Sequence, residues 1–173
     1  IGATYYIRFW AFGANNYGSF DFCVQDVPPP PANDDCSGAI AVAIQPFGTT
    51  CAASVSANTT GSTQSSPNPS CATSDNNDDI WYSFVPTSQS TVIKFSNAVL
   101  TTSTGNMSLG CAVYSSACPA TTTTLFCSTN IGNNNGNLIL DGLTIGATYY
   151  LRFWSFGANN YSSFNFCVQE VPA

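Results

Sequence analysis

The sequence predicts an all-β protein: an antiparallel, jelly-roll-like β-sandwich, stapled by disulfides and repeated in tandem. Three observations carry that expectation. Apolar and polar residues alternate with a period of two through most of the chain, and helical periodicity is nearly absent. Clusters of Gly, Pro and Asn interrupt these runs at short intervals, as turns between many short strands require. A 29-residue segment also occurs twice. Residues 1–29 recur at 145–173 with 23 of 29 positions identical, without a gap, at an offset of 144.

The duplication sets the organisation. Residues 33–173 make one complete sandwich repeat with a period of 144, and its last two strands are the second copy of the duplicated segment. The first copy has no slot in that unit, so residues 1–28 are expected to be the C-terminal strands of a preceding repeat. Residues 29–32 join the two. Four consecutive prolines, Pro28 to Pro31, favour a semi-rigid polyproline II spacer there.

Strands are expected at 39–45, 49–57, 79–85, 91–98, 107–114, 123–128, 137–143, 148–156 and 162–169. Their breakers are Ser66-Pro67-Asn68-Pro69, Pro86, Thr104-Gly105-Asn106, Cys118-Pro119, the Gly132–Gly136 run and Gly157-Ala158-Asn159-Asn160. Two strands declare their faces. Leu151 and Phe153 share one face and belong in the core, because the other carries Arg152, which is costly to bury unpaired. Phe164, Phe166 and Val168 point inward, leaving Asn165 and Cys167 outward or at an edge.

Composition excludes several functions. The chain has no His, so it has no Ser-His-Asp triad, no Cys-His nucleophile and no His-bound zinc. A formal charge of −6 opposes nucleic-acid binding. Only 7% of residues are charged, and solubility falls to the 57 Ser, Thr and Asn residues. No run of about 18 apolar residues exists to insert into a membrane. Eight Cys without C-x-x-C spacing point to disulfides and an oxidising, extracellular location.

Four ordered motifs carry a resemblance: NDDCSGAI at 33–40, DDIWYSFVP at 78–86, AVYSSAC at 112–118 and GLTIGATYYLRF at 142–153. The unit resembles the β-sandwich repeat of large secreted surface proteins of Bacteroidota, related to the bacterial pre-peptidase C-terminal domain. The resemblance covers about residues 33–169. It implies export through the type IX secretion system and a place in adhesins, cell-surface filaments or modular exoenzymes. Cys111 departs from the pattern, standing where an apolar core residue is usual.

Seven Cys fall in the complete unit, an odd number that leaves one free or paired outside it. The expected pairs are Cys51–Cys71, Cys118–Cys127 and Cys36–Cys167. Cys111 shares a face with Val113 and is expected to be a buried free thiol, an inter-unit bridge being the other option.

Five of the nine acids cluster, as Asp34-Asp35 and Asp75/Asp78/Asp79. Carboxylates and loop carbonyls of this kind suit calcium; Asp75, Asp78 and Asp79 are the candidate ligands, against the alternative of a solvated acidic loop. No other cofactor is expected.

Tyr150, Arg152 and Trp154 share an outward face and recur as Tyr6, Arg8 and Trp10. A single catalytic site would not need copying. A lateral interface or a repeated glycan site would use the copies, and burial under a covering loop of the same domain is the alternative. The leading expectation is therefore a non-enzymatic structural repeat unit of an extracellular filament or adhesin, whose partners are neighbouring repeats and chains. The alternative is a carbohydrate-binding module of a secreted multidomain exoenzyme.

Overall fold

The computed structural model describes residues 2–26, 28–48, 50–72, 78–100, 109–115, 118, 124–131, 136–157 and 160–172. Ten strands and a single 3-10 turn at Cys36–Gly38 are found among them. The strands are β1 (Ile40–Ala41), β2 (Ile44–Gln45), β3 (Val55–Asn58), β4 (Asp78–Phe84), β5 (Ser90–Leu100), β6 (Leu109–Tyr114), β7 (Phe126–Ser128), β8 (Asn137–Leu140), β9 (Tyr149–Ser155) and β10 (Ser162–Val171).

They form two sheets. The first has the order β1-β4-β9-β6-β7, and the second β2-β10-β5-β8, with β3 also paired to β10. The expected strand at 39–45 is broken at Val42-Ala43, because the chain there leaves the first sheet and enters the second. Val42 is buried at this corner and its N–H donates to Ser83 O at 2.7 Å. The crossing makes β1 and β2 parallel to their neighbours β4 and β10, so the sheets are mixed rather than wholly antiparallel. The expected strand at 49–57 shortens to β3, and residues 50–54 instead lie by the Cys51 bridge.

The core follows from strand parity. Ile80, Tyr82 and Phe84 of β4, Leu151 and Phe153 of β9, and Cys111 and Val113 of β6 face Ile93 and Phe95 of β5, Leu138 and Leu140 of β8, and Phe164, Phe166 and Val168 of β10. Phe153 is the hub. Its ring lies 5.1–6.0 Å from those of Tyr82, Phe95, Phe164 and Phe166. The thiol of Cys111 is unpaired and buried in this core, and burial pushes its pKa well above the ordinary range.

The disulfides join Cys36–Cys118, Cys51–Cys167 and Cys71–Cys127. The same six cysteines pair, but none in the expected combination. The reason is the sandwich itself. Cys36, Cys71 and Cys127 pack against the outer face of the first sheet. Cys167 lies on β10 with the opposite parity to inward-facing Phe166 and Val168, so it points out of the second sheet and holds Cys51 there. Cys36–Cys167 and Cys51–Cys71 would each have to span the whole sandwich.

The first copy of the duplicated segment departs furthest from expectation. Residues 2–26 form no strand, and their side chains are exposed, whereas 149–155 and 162–171 form β9 and β10. A strand needs hydrogen-bonded neighbours. β9 lies between β4 and β6, and β10 between β5 and the β2/β3 edge, while 2–26 has neither.

This contrast predicts two fates for one residue type in one sequence context. Phe153→Ala should cost about 3–5 kcal/mol through the cavity it leaves. Its counterpart Phe9→Ala should stay within about 0.5 kcal/mol of the parent. Urea unfolding of both variants checks this, and equal costs would contradict it.

Candidate functional site

The strongest concentration of polar chemistry lies on the outer face of the first sheet. Tyr150, Arg152 and Trp154 alternate along β9 with the core residues Leu151 and Phe153. Ladder register sets Trp81 and Ala112 opposite Arg152, and Asp79 and Gly110 opposite Trp154. This face is not open. The polar stretch from Thr59 to Ala72 folds over it, and Cys71–Cys127 ties that cover to β7. Arg152 and Asp79 both have zero side-chain exposure.

Ser65 and Pro67 of the cover bond directly to this pair. Arg152 Nη2 donates to Asp79 Oδ2, at 2.7 Å, and to Ser65 O, while Nη1 donates to Pro67 O, also at 2.7 Å. Asp79 Oδ1 accepts from Ser65 Oγ at 2.6 Å and from Trp81 Nε1 at 2.9 Å, and Oδ2 accepts from Ser65 N at 2.8 Å. The guanidinium sits 5.3 Å from the Trp81 ring centre. One further clamp holds the cover: Asp34 accepts from Thr63 N and Thr63 Oγ1 at 2.6 and 2.7 Å. Gly110 has no side chain because the Trp154 indole lies across it; a Cβ there would run into the ring.

Burial raises the Asp79 carboxyl above the ordinary carboxylate range, and Arg152 and the Ser65 donors oppose the rise. Asp79 is the ionised partner, since both its oxygens only accept and Arg152 is charged at any physiological pH. Asp78 lacks such help. Burial first, then the neighbouring Asp79 and Asp34 carboxylates, raise its pKa from 3.8 to about 6.

The second sheet's outer side is more open. A shallow cleft there is lined by Lys94, Ser96, Asn137, Thr50 and Ser54, with Phe95 at its base. Lys94 of β5 lies between Cys167 of β10 and Asn137 of β8 in the ladders. The cleft presents one cation and several neutral hydrogen-bonding groups.

A family model described as galactose binding domain-like, and associated with type IX secretion, matches residues 32–168. The chain belongs to this family. No curated protein matches it. A galactose-binding-like domain tied to type IX secretion and cross-linked by three disulfides is a secreted or extracellular one.

Within this galactose-binding-like domain the expected site residues are redistributed. Arg152 and Trp154 are fully buried and Tyr150 is half-buried, so they offer no free glycan or contact face. Their role is internal, because a buried guanidinium must be neutralised and its cover takes the indole with it. Tyr6 and Trp10, in contrast, are 94% and 75% exposed, and Arg8 is exposed beside them. Asp78 and Asp79 lie on buried β4 rather than in a solvated loop. With both Asp79 oxygens taken by Ser65, Trp81 and Arg152, calcium has no claim on that residue. Asp75 lies outside the described residues, and no cluster of three His, Cys, Asp or Glu able to hold a metal occurs among those described. The Lys94 cleft was not legible in the sequence, because it joins residues from three distant strands. Its one signal is that Lys94 is the only lysine.

Two predictions follow from the charges. Arg152→Met leaves Asp79 buried without its cation and should cost about 3–5 kcal/mol. Replacing Asp79 with Leu as well should recover much of the loss, as measured by denaturant unfolding in a double-mutant cycle. Asp78 has a folded-state pKa above its unfolded value, so the folded chain favours its neutral form. That contribution is full below about pH 3.8 and is lost as pH rises through about 6. Asp78→Asn should therefore match the parent near pH 3 and exceed it at pH 8 by up to about 3 kcal/mol. The same gap at both pH values would contradict this assignment.

Proposed function

We propose that this domain is a structural repeat unit of an extracellular filament or adhesin, assembling through contacts between repeats and between chains. The observation that carries the reading is the duplicated segment, 23 of 29 positions identical at an offset of 144. Selection for a single ligand site does not explain copying a segment whose aromatic and cationic residues are internal to the fold. Selection for a unit that recurs in series does. The construction suits mechanical duty. Three disulfides close loops with sequence separations of 82, 116 and 56, and cross-links of that span restrict the unfolded chain strongly. A surface made soluble by neutral polar groups lets neighbours approach with little charge repulsion. We read the unit as non-catalytic, and Pro28–Pro31 as its spacer. The Pro28 and Pro29 carbonyls abut Gly61, whose positive φ of 80° brings the covering loop against them. The resemblance of its sequence motifs to Bacteroidota surface-protein repeats supports the same role.

The second reading is a carbohydrate-binding module of a secreted multidomain exoenzyme. The galactose-binding-like family and the Lys94 cleft favour it. Sugar hydroxyls would meet Lys94, Ser96 and Asn137 there. No ring platform is available, since Phe95 and Phe166 are buried.

Electron microscopy of the native secreted material separates the two. The filament reading expects fibres with an axial repeat; dispersed globular particles would count against it. A glycan array with the domain and its Lys94→Ala variant tests the other. Binding that Lys94→Ala lowers at least about tenfold, the loss of one charge-assisted hydrogen bond, would support the module reading.

A further inference from the structure

We propose that residues 2–26 are a donated arch: they enter the shell of another unit of this same fold as its two central strands, and Cys23 then bonds to that shell's counterpart of Cys51. The inference rests on the repeat reading and deepens it by naming the partner surface and the covalent link.

The segment is already shaped for this slot. In the complete unit, β9 and β10 belong to different sheets, with the Phe153 ring edge-on to Phe164 at 5.2 Å and tilted against Phe166 at 5.1 Å. Residues 2–26 bring the counterpart rings together. Phe9 lies 4.8 and 4.9 Å from Phe20 and Phe22. The same side-chain bond closes each turn: Asn16 Nδ2 donates to Phe12 O at 2.7 Å, as Asn160 Nδ2 donates to Phe156 O at 2.7 Å. Gly13 and Gly157 take φ of 100° and 92° to make it. Only the flanking strands are missing. Tyr5, Tyr6, Trp10, Phe12 and Val24 are left in solvent, a larger apolar surface than a free loop keeps.

The slot in the chain's own unit is filled by β9 and β10, so the arch must seek a second shell. Its differences from β9 and β10 suit such a shell. Ser155 Oγ and Ser162 Oγ form a buried hydrogen bond of 2.7 Å, and the arch replaces both partners together, with Ala11 and Gly18. Removing both ends leaves neither of the two unsatisfied, and of the pair's neighbours only Thr59 Oγ1, 3.2 Å from Ser155 Oγ, loses a contact. Thr59 Oγ1 also accepts from Ser162 N, a backbone donor that Gly18 retains. Asn165 Oδ1 accepts from Ser56 Oγ, and Asp21 offers an acceptor in the same place. Arg8 would find the shell's Asp79, and Trp10 the space above its Gly110. Cys23 would stand where Cys167 meets Cys51. Closing that bridge removes two protons and two electrons from two thiols; oxidised glutathione takes them and leaves as two thiols.

The test extends the chain at its N-terminus with a second copy of residues 33–144, so that Thr144 of the added copy runs directly into Ile1. The protein is refolded with oxidised and reduced glutathione. In the 173-residue chain, Cys23 should react fully with a thiol-alkylating reagent. In the extended chain that labelling should be lost, and non-reducing digestion should yield Cys23 joined to Cys51 of the added copy. Cys23→Ser in the extended chain should still shift Trp10 emission to the blue, since packing does not require the bridge. A second extended chain, with residues 1–28 replaced by 145–172, controls for folding of the added copy. If it closes its bridge while Cys23 stays reactive, the proposal is overturned, and a Cys23 bridge to any other cysteine overturns it as well. Failure here and failure of the filament reading are distinguishable. A protected Cys23 in material without axial periodicity keeps the arch and removes the filament, and periodic fibres with a reactive Cys23 do the reverse.

Discussion

A charged guanidinium at zero exposure is the constraint around which the domain is arranged. Arg152 sits mid-strand in the central strand of the first sheet, where water cannot solvate it. An arginine cannot escape by losing its proton, so the fold must supply an anion and enough acceptors. Asp79 on the adjacent strand supplies the charge, and the Ser65 and Pro67 carbonyls supply most of the rest. Those carbonyls belong to an irregular segment that has to cross the sheet to reach the guanidinium. Its covering of Trp81, Tyr114 and Trp154 follows, and so does the bridge from Cys71 to Cys127 that holds it down. A segment rich in Ser, Thr and Pro, which composition alone reads as a solvent excursion, becomes the second layer over a doubly buried sheet.

How much of this the sequence disclosed depends on whether the information is local. Period-two alternation is local, and the inward parity of Leu151, Phe153, Phe164, Phe166 and Val168 was readable from it. The rule used for Arg152, that a cation faces away from the core, also assigned the correct face. It did not decide between an open face and one under a covering loop, because outward from the core is not outward to solvent when another layer lies above; the covering loop is what the structure has. The disulfides failed for a related reason. Chain proximity suggested two of the pairs, and a tie from first segment to last strand the third. Cys51–Cys71 and Cys36–Cys167 fail because their members reach opposite outer faces, known only once the strands are ordered into sheets. Cys118 and Cys127 instead meet Cys36 and Cys71 on the face they share. The break at Val42-Ala43 was hidden likewise, since a corner between sheets keeps the alternation of a single strand.

The duplicated segment separates local from contextual information within one molecule. Two nearly identical sequences share what short-range forces determine: the glycine turn, the Asn side-chain bond that closes it, and the contact among three phenylalanines. They differ in what requires neighbours, namely the ladders, the burial of the Tyr-Arg-Trp face and the ion pair. Strand propensity alone therefore does not make these strands; the shell does. This also explains why the same residues look like an exposed aromatic and cationic surface in one copy and like a sealed interior in the other.

Covering the first sheet leaves the outer side of the second as the open sheet face. Both faces of the first sheet are occupied, one by the core and one by the loop that satisfies Arg152. On the outer side of the second sheet, Val99 and Ile139 are exposed, and Lys94, Ser96 and Asn165 lie half-buried among them. That side combines scattered apolar side chains with neutral hydrogen-bonding groups and one cation, and it carries few charges to desolvate. Such a surface suits association with a like surface and hydrogen bonding to sugar hydroxyls equally well, because neither demands a counter-ion. Lateral packing and glycan binding would then draw on the same strands, β5, β8 and β10, and a domain engaged laterally through them would have that cleft closed.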